Sequence, residues 1–192
     1  MMVKIVAFSG SSRKDSLNKK LVHAAVLALR EAGAEVEEVD LRDYPMPLYN
    51  GDEEDANGQP ENAGRLRDLF VRHDALLVGC PEYNGLITPL LKNTIDWVSR
   101  RDGQGRPGTL SVRGKVAALT AASPGGLGGL RGLTHVRTLL SNIGMFVLPD
   151  QLALQQAHKA FDDQGRLTDE PAAKRLDELT ANFVRVVERL KA

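Results

Sequence analysis

The chain has 192 residues, of which 42% are hydrophobic and 26% charged, and 25 Lys and Arg residues balance 25 Asp and Glu residues. This composition is typical of a globular protein, and the zero net charge excludes a global field that would recruit nucleic acid or a membrane surface. Cys80 is the single cysteine, which excludes an internal disulfide framework and fits a reducing compartment.

Neither a targeting segment nor a membrane span is evident in the sequence. Apolar runs stay well short of the ~20 residues of a transmembrane helix, and the start of the chain lacks the charged region and cleavage site of a signal peptide. We therefore expect a cytoplasmic protein. Its length suits one α/β domain spanning residues 1–192.

The first forty residues alternate between strand and helix patterns. Residues 3–8 are short and apolar, which predicts a buried strand. A helical pattern begins near Ser16, which is placed to cap it, and Gly33 stands where a C-terminal cap belongs. Residues 34–41 predict a second strand.

The middle of the chain adds a surface excursion and a third strand. Residues 44–60 hold three prolines, two glycines and four acidic residues, and they interrupt the apolar pattern. Residues 61–72 predict a short helix, and residues 75–80 predict a strand that Pro81 ends. Residues 86–98 predict a helix that is reached through Thr88-Pro89.

The remainder continues the alternation. Residues 100–113 are rich in Gly and Arg and are expected to be exposed and mobile, whereas residues 115–122 predict the fourth strand. A glycine-rich loop, residues 123–129, leads to a helix that ends about Asn142, and residues 144–148 predict the fifth strand. A turn at residues 162–165 could close a small hairpin. The last helix carries one apolar face, made of Leu176, Leu179, Phe183, Val187 and Leu190.

Five strands that alternate with helices predict a doubly wound parallel sheet with helices on both faces. Ligands of such sheets bind at the carboxyl ends of the strands, near the topological switch point. Loops of unusual composition follow three of the predicted strands: residues 10–18, 81–85 and 123–129. Their convergence on one edge predicts a binding site.

The first of these loops has the composition of a phosphate site. It combines short polar side chains with Arg13, whose guanidinium matches a phosphate, at the start of a helix. The loop contains neither G-x-G-x-x-G nor a Gly-Lys-Ser/Thr ending, so a monophosphate fits better than a pyrophosphate. The alternative is a helix cap beside a solvated arginine.

The other two loops leave more alternatives open. Residues 81–85 offer an aromatic ring and an amide that could flank a planar heterocycle, or they form a turn in which Asn84-Gly85 tolerates positive φ. Residues 123–129 allow the backbone to approach a ligand closely, or they are a flexible connector.

Two motifs carry a family resemblance. The pattern G-S-x-R-x-x-S-x-N at residues 10–18, with P-E-Y-N-x-x-x-x-P-L-L-K-N-x-I-D-W at residues 81–97, resembles the NADPH-dependent FMN reductase family. That family is flavodoxin-like and includes quinone-, chromate- and azo-reducing enzymes. Residues 123–129 match its third flavin loop, and the resemblance covers nearly the whole chain.

The resemblance implies a flavodoxin-like fold with FMN at the edge of the sheet. The residues it assigns to the FMN phosphate are Ser11, Arg13, Ser16, Leu17 and Asn18. The residues it assigns to the isoalloxazine ring are Pro81, Glu82, Tyr83 and Asn84 on one side and Ser123, Gly125 and Gly126 on the other. It also implies a homodimer, or a tetramer built from two dimers. Pro124 and residues 85–88 depart from the family pattern beside the substrate face.

The implied reaction is hydride transfer from NADPH or NADH to FMN, and then to a quinone, chromate, an azo compound or free flavin. No side chain need act as acid or base, and no metal is implied. Backbone N–H groups of residues 123–129 could favour the anionic reduced flavin. A flavodoxin-type single-electron carrier is the alternative, and zero net charge counts against it. The polar loops count against a flavin-free module.

Other conspicuous residues have ordinary explanations. Cys80 is expected to be a buried core residue rather than a redox thiol, and Trp97 to pack in the core or an interface. The four histidines lack metal-ligand spacing. Arg100, Arg101 and Arg106 could meet nucleotide phosphates, but an exposed loop of arginines is the default expectation.

Overall fold

The computed structural model describes residues 2–191, in which a parallel five-stranded sheet is the central layer. The strands are β1 (Lys4–Ser9), β2 (Glu35–Val39), β3 (Ala75–Gly79), β4 (Glu82–Tyr83), β5 (Leu86–Ile87), β6 (Val116–Ala122) and β7 (Phe146–Leu154). The main sheet has the order β2-β1-β3-β6-β7, and β4 and β5 form a separate antiparallel ribbon.

Helices cover both faces of the main sheet. They are α1 (Leu17–Glu31), α2 (Gly51–Asn57), α3 (Glu61–Arg72), α4 (Pro89–Ser99), α5 (Leu130–Asn142) and α6 (Glu170–Lys191). Short 3₁₀ turns occupy Leu41–Asp43, Gly108–Ser111 and Ala157–Lys159. One core lies between the sheet and α1 with α6, and the other lies beneath α3, α4 and α5. Within residues 2–191, no helix is long and apolar enough to cross a membrane.

Strand β1 shows why its sequence is apolar without alternation. Ile5 and Ala7 belong to the core beneath α1, whereas Val6 and Phe8 belong to the opposite core. A strand buried on both faces needs apolar residues at every position. The order of the five parallel strands is the flavodoxin-like order 2-1-3-4-5, so the predicted fold class is confirmed.

The predicted ends of α1 are also confirmed. Ser16 is the N-cap and its hydroxyl accepts a hydrogen bond from the Lys19 N–H at 3.4 Å. At the other end Gly33 has a φ of +88°, and the Ala34 N–H returns to the Leu29 carbonyl at 3.0 Å. This left-handed residue ends the helix and turns the chain into β2.

The prediction of a helix over residues 86–98 was wrong at its beginning. Leu86–Ile87 pairs with Glu82–Tyr83, and the two are joined by Asn84 and Gly85 with φ values of +53° and +83°. Two successive positive φ angles make a tight hairpin turn, which Asn-Gly strongly favours. The helix begins only at Pro89, after Thr88, whose hydroxyl accepts from the Leu91 N–H.

The fifth strand is longer than the predicted 144–148, since β7 continues to Leu154. Its pairing with β6 shifts register between Ala117 and Leu119, opposite the segment that contains Pro149. Proline is tolerated at such an irregularity because β7 is an edge strand. The predicted strand ended at residue 148, directly before Pro149.

One loop prediction needs correction, and two others are confirmed. The excursion at residues 44–60 lies on the surface, as predicted, and contains α2, which is capped by the side chain of Asn50. The loop at residues 100–113 is not exposed throughout, because a 3₁₀ turn buries Gly108 and Ser111. An antiparallel bridge between Phe161 and Leu167 closes the small hairpin expected around residues 162–165.

Candidate functional site

The carboxyl ends of three neighbouring strands define the candidate site. Ser9 of β1 lies opposite Gly79 of β3, which lies opposite Thr120 of β6. The loops after these strands therefore leave the same edge of the sheet. The chain leaves β1 towards α1 on one face and β3 towards α4 on the other, so this edge is the topological switch point.

The first loop leads directly to the N-terminus of α1. Ser11 and Ser16 are buried, whereas Arg13 is exposed, and the Arg13 N–H donates to the Ser11 hydroxyl at 3.3 Å. The first turn of α1 holds no acidic residue, whereas that of α2 holds three. The positive end of the α1 dipole is thus not compensated by its own first turn, which suits an anion.

Asn18 fastens the first loop to the third. Its side-chain amide donates to the Ala122 carbonyl at 2.8 Å, and its oxygen accepts from the Ala122 N–H at 2.9 Å. Asn18 is 5% exposed. The side chain assigned from sequence to a phosphate therefore also holds the end of β6, and one amide N–H of Asn18 is left for another partner.

Thr88 fastens the first loop to α4. Its hydroxyl donates to the Gly10 carbonyl at 2.7 Å. A Cβ on Gly10 would lie 2.6 Å from the Leu91 Cβ, so only glycine permits this approach of the loop to the helix. The hydrogen bond and the close packing fix where the first loop begins.

Glu82 fastens the second loop to the start of α5. One carboxylate oxygen accepts from Nε and Nη2 of Arg131 at 2.9 and 2.5 Å, and the other accepts from the Gly132 N–H at 3.0 Å. Burial favours the neutral acid, but the hydrogen bonds from Arg131 and Gly132 outweigh it and lower the pKa of Glu82. Tyr83 and Asn84, next in the loop, stay exposed.

The third loop exposes its backbone. Gly125 and Gly126 are exposed, and the Gly125 N–H donates to the Ser123 hydroxyl at 3.2 Å. The Ser123 carbonyl accepts from the Ala157 N–H at 3.0 Å, which anchors the base of the loop. Farther along, Gly128 has a φ of +62°. The exposed part thus lies between two fixed ends.

Comparison with known proteins decides the family. The model of the family described as NADPH-dependent FMN reductase matches residues 3–159. An NAD(P)H-dependent FMN reductase of Pseudomonas aeruginosa is 34% identical over 190 residues, which are 98% of this chain and 97% of that protein. The chain belongs to the NADPH-dependent FMN reductase family. It is an oxidoreductase that uses FMN and NAD(P)H, as the sequence predicted.

Two further relatives extend the comparison. An NAD(P)H:quinone oxidoreductase of Solanum tuberosum is 35% identical over 185 residues, covering 91% of this chain and 88% of that one. The solved structure of FerB, a flavoenzyme NAD(P)H:(acceptor) oxidoreductase from Paracoccus denitrificans, superposes with a TM-score of 0.83. It is 31% identical, and the match covers 98% of each chain.

The edge of the sheet fits the cofactor of the family. The α1 N-terminus offers backbone N–H groups and an uncompensated dipole beside Arg13. A Cβ on Gly126 would meet no atom within 4 Å, so the backbone of the third loop is open to a planar ligand. In the second loop, Tyr83 is about half exposed. These features suit a phosphate joined to a flat ring.

The conspicuous residues outside the loops are structural. Cys80 is fully buried, burial raises the pKa of its thiol, and its Sγ contacts the Val78 carbonyl, as expected for a core residue. Trp97 is also buried, and its indole N–H donates to the Pro47 carbonyl. The arginines that follow α4 donate side-chain hydrogen bonds to nearby groups: Arg100 to Glu54, Arg101 to the Gly105 carbonyl and Arg106 to Asp102.

Sequence reasoning missed Arg131. It is 49 residues from Glu82, and no local motif connects the two. The available signal was its position just after the glycine-rich loop, at the start of a helix, where its side chain can reach a neighbouring loop. Only the packing of α5 against the β4–β5 ribbon shows which acidic residue it meets.

Proposed function

We propose that the three loops hold FMN, with the phosphate at the α1 N-terminus and the ring between the second and third loops, and that the protein reduces quinones. The side chains assigned to these contacts are those implied by the family motif. The observation that carries the proposal is that Asn18, Thr88 and Glu82 fix the first and second loops against the end of β6, the start of α4 and the start of α5 at the switch point.

The residues of this chain would bind and orient the reactants. FMN supplies the redox chemistry when it is bound, since it accepts a hydride from NAD(P)H and passes electrons to the acceptor. Arg13 and the α1 N-terminus would hold the phosphate, and the open backbone of Gly125 and Gly126 would approach the ring. Glu82 is already hydrogen-bonded to α5, so we assign no acid or base among the loop side chains.

The acceptor and the nucleotide can be tested together. NADPH or NADH is expected to bleach the flavin absorbance of the holoprotein without oxygen, and a benzoquinone is expected to restore it. Support for a quinone comes from the potato relative, which is named a quinone oxidoreductase. Stopped-flow spectroscopy with both nucleotides measures the two steps, with chromate and an azo dye as competing acceptors. A flavin that neither nucleotide bleaches would favour the single-electron carrier.

The proposal includes a homodimer in the cytoplasm. Four large apolar side chains around the second and third loops are each about half exposed: Tyr83, Leu86, Leu127 and Leu130. Tyr83 and Leu86 lie directly opposite each other in the β4–β5 ribbon, and exposed apolar residues that adjoin one another are typical of a protein interface.

Sedimentation is expected to give a dimer, and Leu130→Glu is expected to give a monomer because the charge would be buried in the interface. Leu110→Glu is the matched control, since Leu110 is similarly exposed in a 3₁₀ turn outside the three loops. A wild-type monomer, or equal effects of the two changes, would contradict the dimer.

A further inference from the structure

The N-terminus of α5 is capped from outside the helix. Its N-cap is Gly129, which has a φ of +85° and no side chain to accept a hydrogen bond. The first N–H groups of a helix need acceptors from elsewhere. The carboxylate of Glu82, from the loop after β3, accepts from the Gly132 N–H at 3.0 Å. An anion of the protein itself thus occupies this helix end.

The packing around this carboxylate is close. A Cβ on Gly132 would lie 3.3 Å from the Glu82 Cβ, and a Cβ on Gly129 would lie 2.9 Å from the Ala121 Cβ. Two glycines therefore allow the helix start to lie against the second loop and β6. Small residues at both positions fit a fixed junction between the second and third loops.

The junction also places a compensated pair of charges in the site. The Glu82 side chain is 10% exposed, whereas that of Arg131 is 62% exposed. The carboxylate is ionised at neutral pH because its hydrogen bonds lower its pKa. The pair has no net charge, yet each member carries a full charge: Glu82 belongs to the second loop, and Arg131 to the first turn of α5, directly after the third loop.

We propose that Glu82 and Arg131 are positioning residues that set the reduction potential of bound FMN by holding a neutral charge pair between the second and third loops. This inference rests on the proposed function, since it needs FMN at this edge. Reduced flavin carries negative charge in its pyrimidine ring. A net positive charge nearby stabilises the reduced form, and a net negative charge destabilises it.

The two single changes should therefore act with opposite sign. Glu82→Gln leaves the guanidinium uncompensated and is expected to raise the FMN potential. Arg131→Gln leaves the carboxylate uncompensated and is expected to lower it. The loss of one charge of the pair is expected to change the affinity ratio of reduced to oxidised FMN by roughly tenfold. The double variant should return towards the wild-type potential, and Arg131→Lys should stay near it.

The chain offers a matched control. Arg100 and Glu54 form a pair at 2.7 Å with similar exposure, 46% for the side chain of Arg100 and 13% for that of Glu54. Arg100 follows α4 and Glu54 lies on α2, so neither belongs to the three loops. Glu54→Gln and Arg100→Gln are expected to leave the FMN potential unchanged. Redox titration of each holoprotein against a reference dye gives the potentials, and thermal melting of each variant confirms folding.

The outcomes are separable. Shifts of opposite sign for Glu82→Gln and Arg131→Gln support the inference, and shifts that are absent or share one sign overturn it. If Glu82→Gln does not fold, the two Arg131 variants decide the inference. An FMN potential that is lower in Arg131→Gln but unchanged in Arg131→Lys supports it, and equal potentials in these two variants overturn it. A wild-type protein that binds no FMN would instead contradict the proposed function.

Discussion

Asn18→Ala is expected to lower the free energy of unfolding of the apoprotein by roughly 2–4 kcal/mol, because it leaves both polar backbone groups of Ala122 unpaired. The amide of Asn18 satisfies the N–H and the carbonyl of that residue from 104 positions away, in a buried setting. The same change releases the third loop from the first. We therefore also expect the affinity for FMN to fall by roughly tenfold or more.

Asn93→Ala is the matched control for this change. The Asn93 oxygen accepts from the Tyr49 N–H at 2.8 Å, and its amide donates to the Pro47 carbonyl at 2.9 Å. The chemistry is the same, but the site is half-buried on α4 and joins none of the three loops. Urea unfolding should show a smaller loss of unfolding free energy for Asn93→Ala than for Asn18→Ala. FMN titration should show no loss of FMN affinity for Asn93→Ala. Equal effects of the two changes on both quantities would contradict the role of Asn18.

Arg13→Ala is expected to weaken FMN binding by roughly 1.5–3 kcal/mol, the contribution of one charge-assisted hydrogen bond to a phosphate. Among residues 2–191, no carboxylate lies within 4 Å of the Arg13 guanidinium, so no ion pair competes for it. Riboflavin carries the same ring without the phosphate, and its affinity should not change. Calorimetric titration of the apoprotein with both ligands measures the difference.

Lys14→Ala serves as the control for Arg13→Ala. Lys14 is the next residue, equally exposed and equally charged, but it is not part of the family motif. We expect it to weaken FMN by less than about threefold, through its distant charge alone. The assignment of Arg13 to the phosphate would be contradicted if Arg13→Ala left the FMN affinity unchanged. It would also be contradicted if this change weakened the binding of FMN and of riboflavin equally.

The sequence predicted the elements whose signals are local. The apolar run before Gly10, the cap at Ser16 and the left-handed Gly33 each act within a few residues, and the structure has them where they were expected. The convergence of the three loops followed from topology alone, since parallel strands place their carboxyl ends on one edge.

Competing local signals explain the errors. Residues 86–98 carry a helical pattern, but the Asn84-Gly85 turn pairs Leu86 with Tyr83 before the helix can begin. The predicted fifth strand ended directly before Pro149, and proline cannot donate to a ladder, yet the edge position of β7 tolerates it. In each case the sequence contains both competing features, and only the tertiary structure shows which one determines the local fold.

The contacts that join the loops could not be predicted. Asn18 meets Ala122 across 104 residues, and Glu82 meets Arg131 across 49. Each contact depends on the rotation of a helix and on glycines that permit close packing, such as Gly132 against Glu82. The motifs identified which residues matter, but the pairing of those residues is a property of the folded chain.

A crystal structure of the protein with bound FMN would test the proposed site directly. We expect the phosphate at the α1 N-terminus, within hydrogen-bonding distance of Ser11, Arg13 and Ser16, and the ring between residues 81–84 and 123–126. The Asn18–Ala122 and Glu82–Arg131 contacts should be retained. FMN bound at another edge of the sheet, or with its phosphate away from the loop that begins at Gly10, would contradict the account.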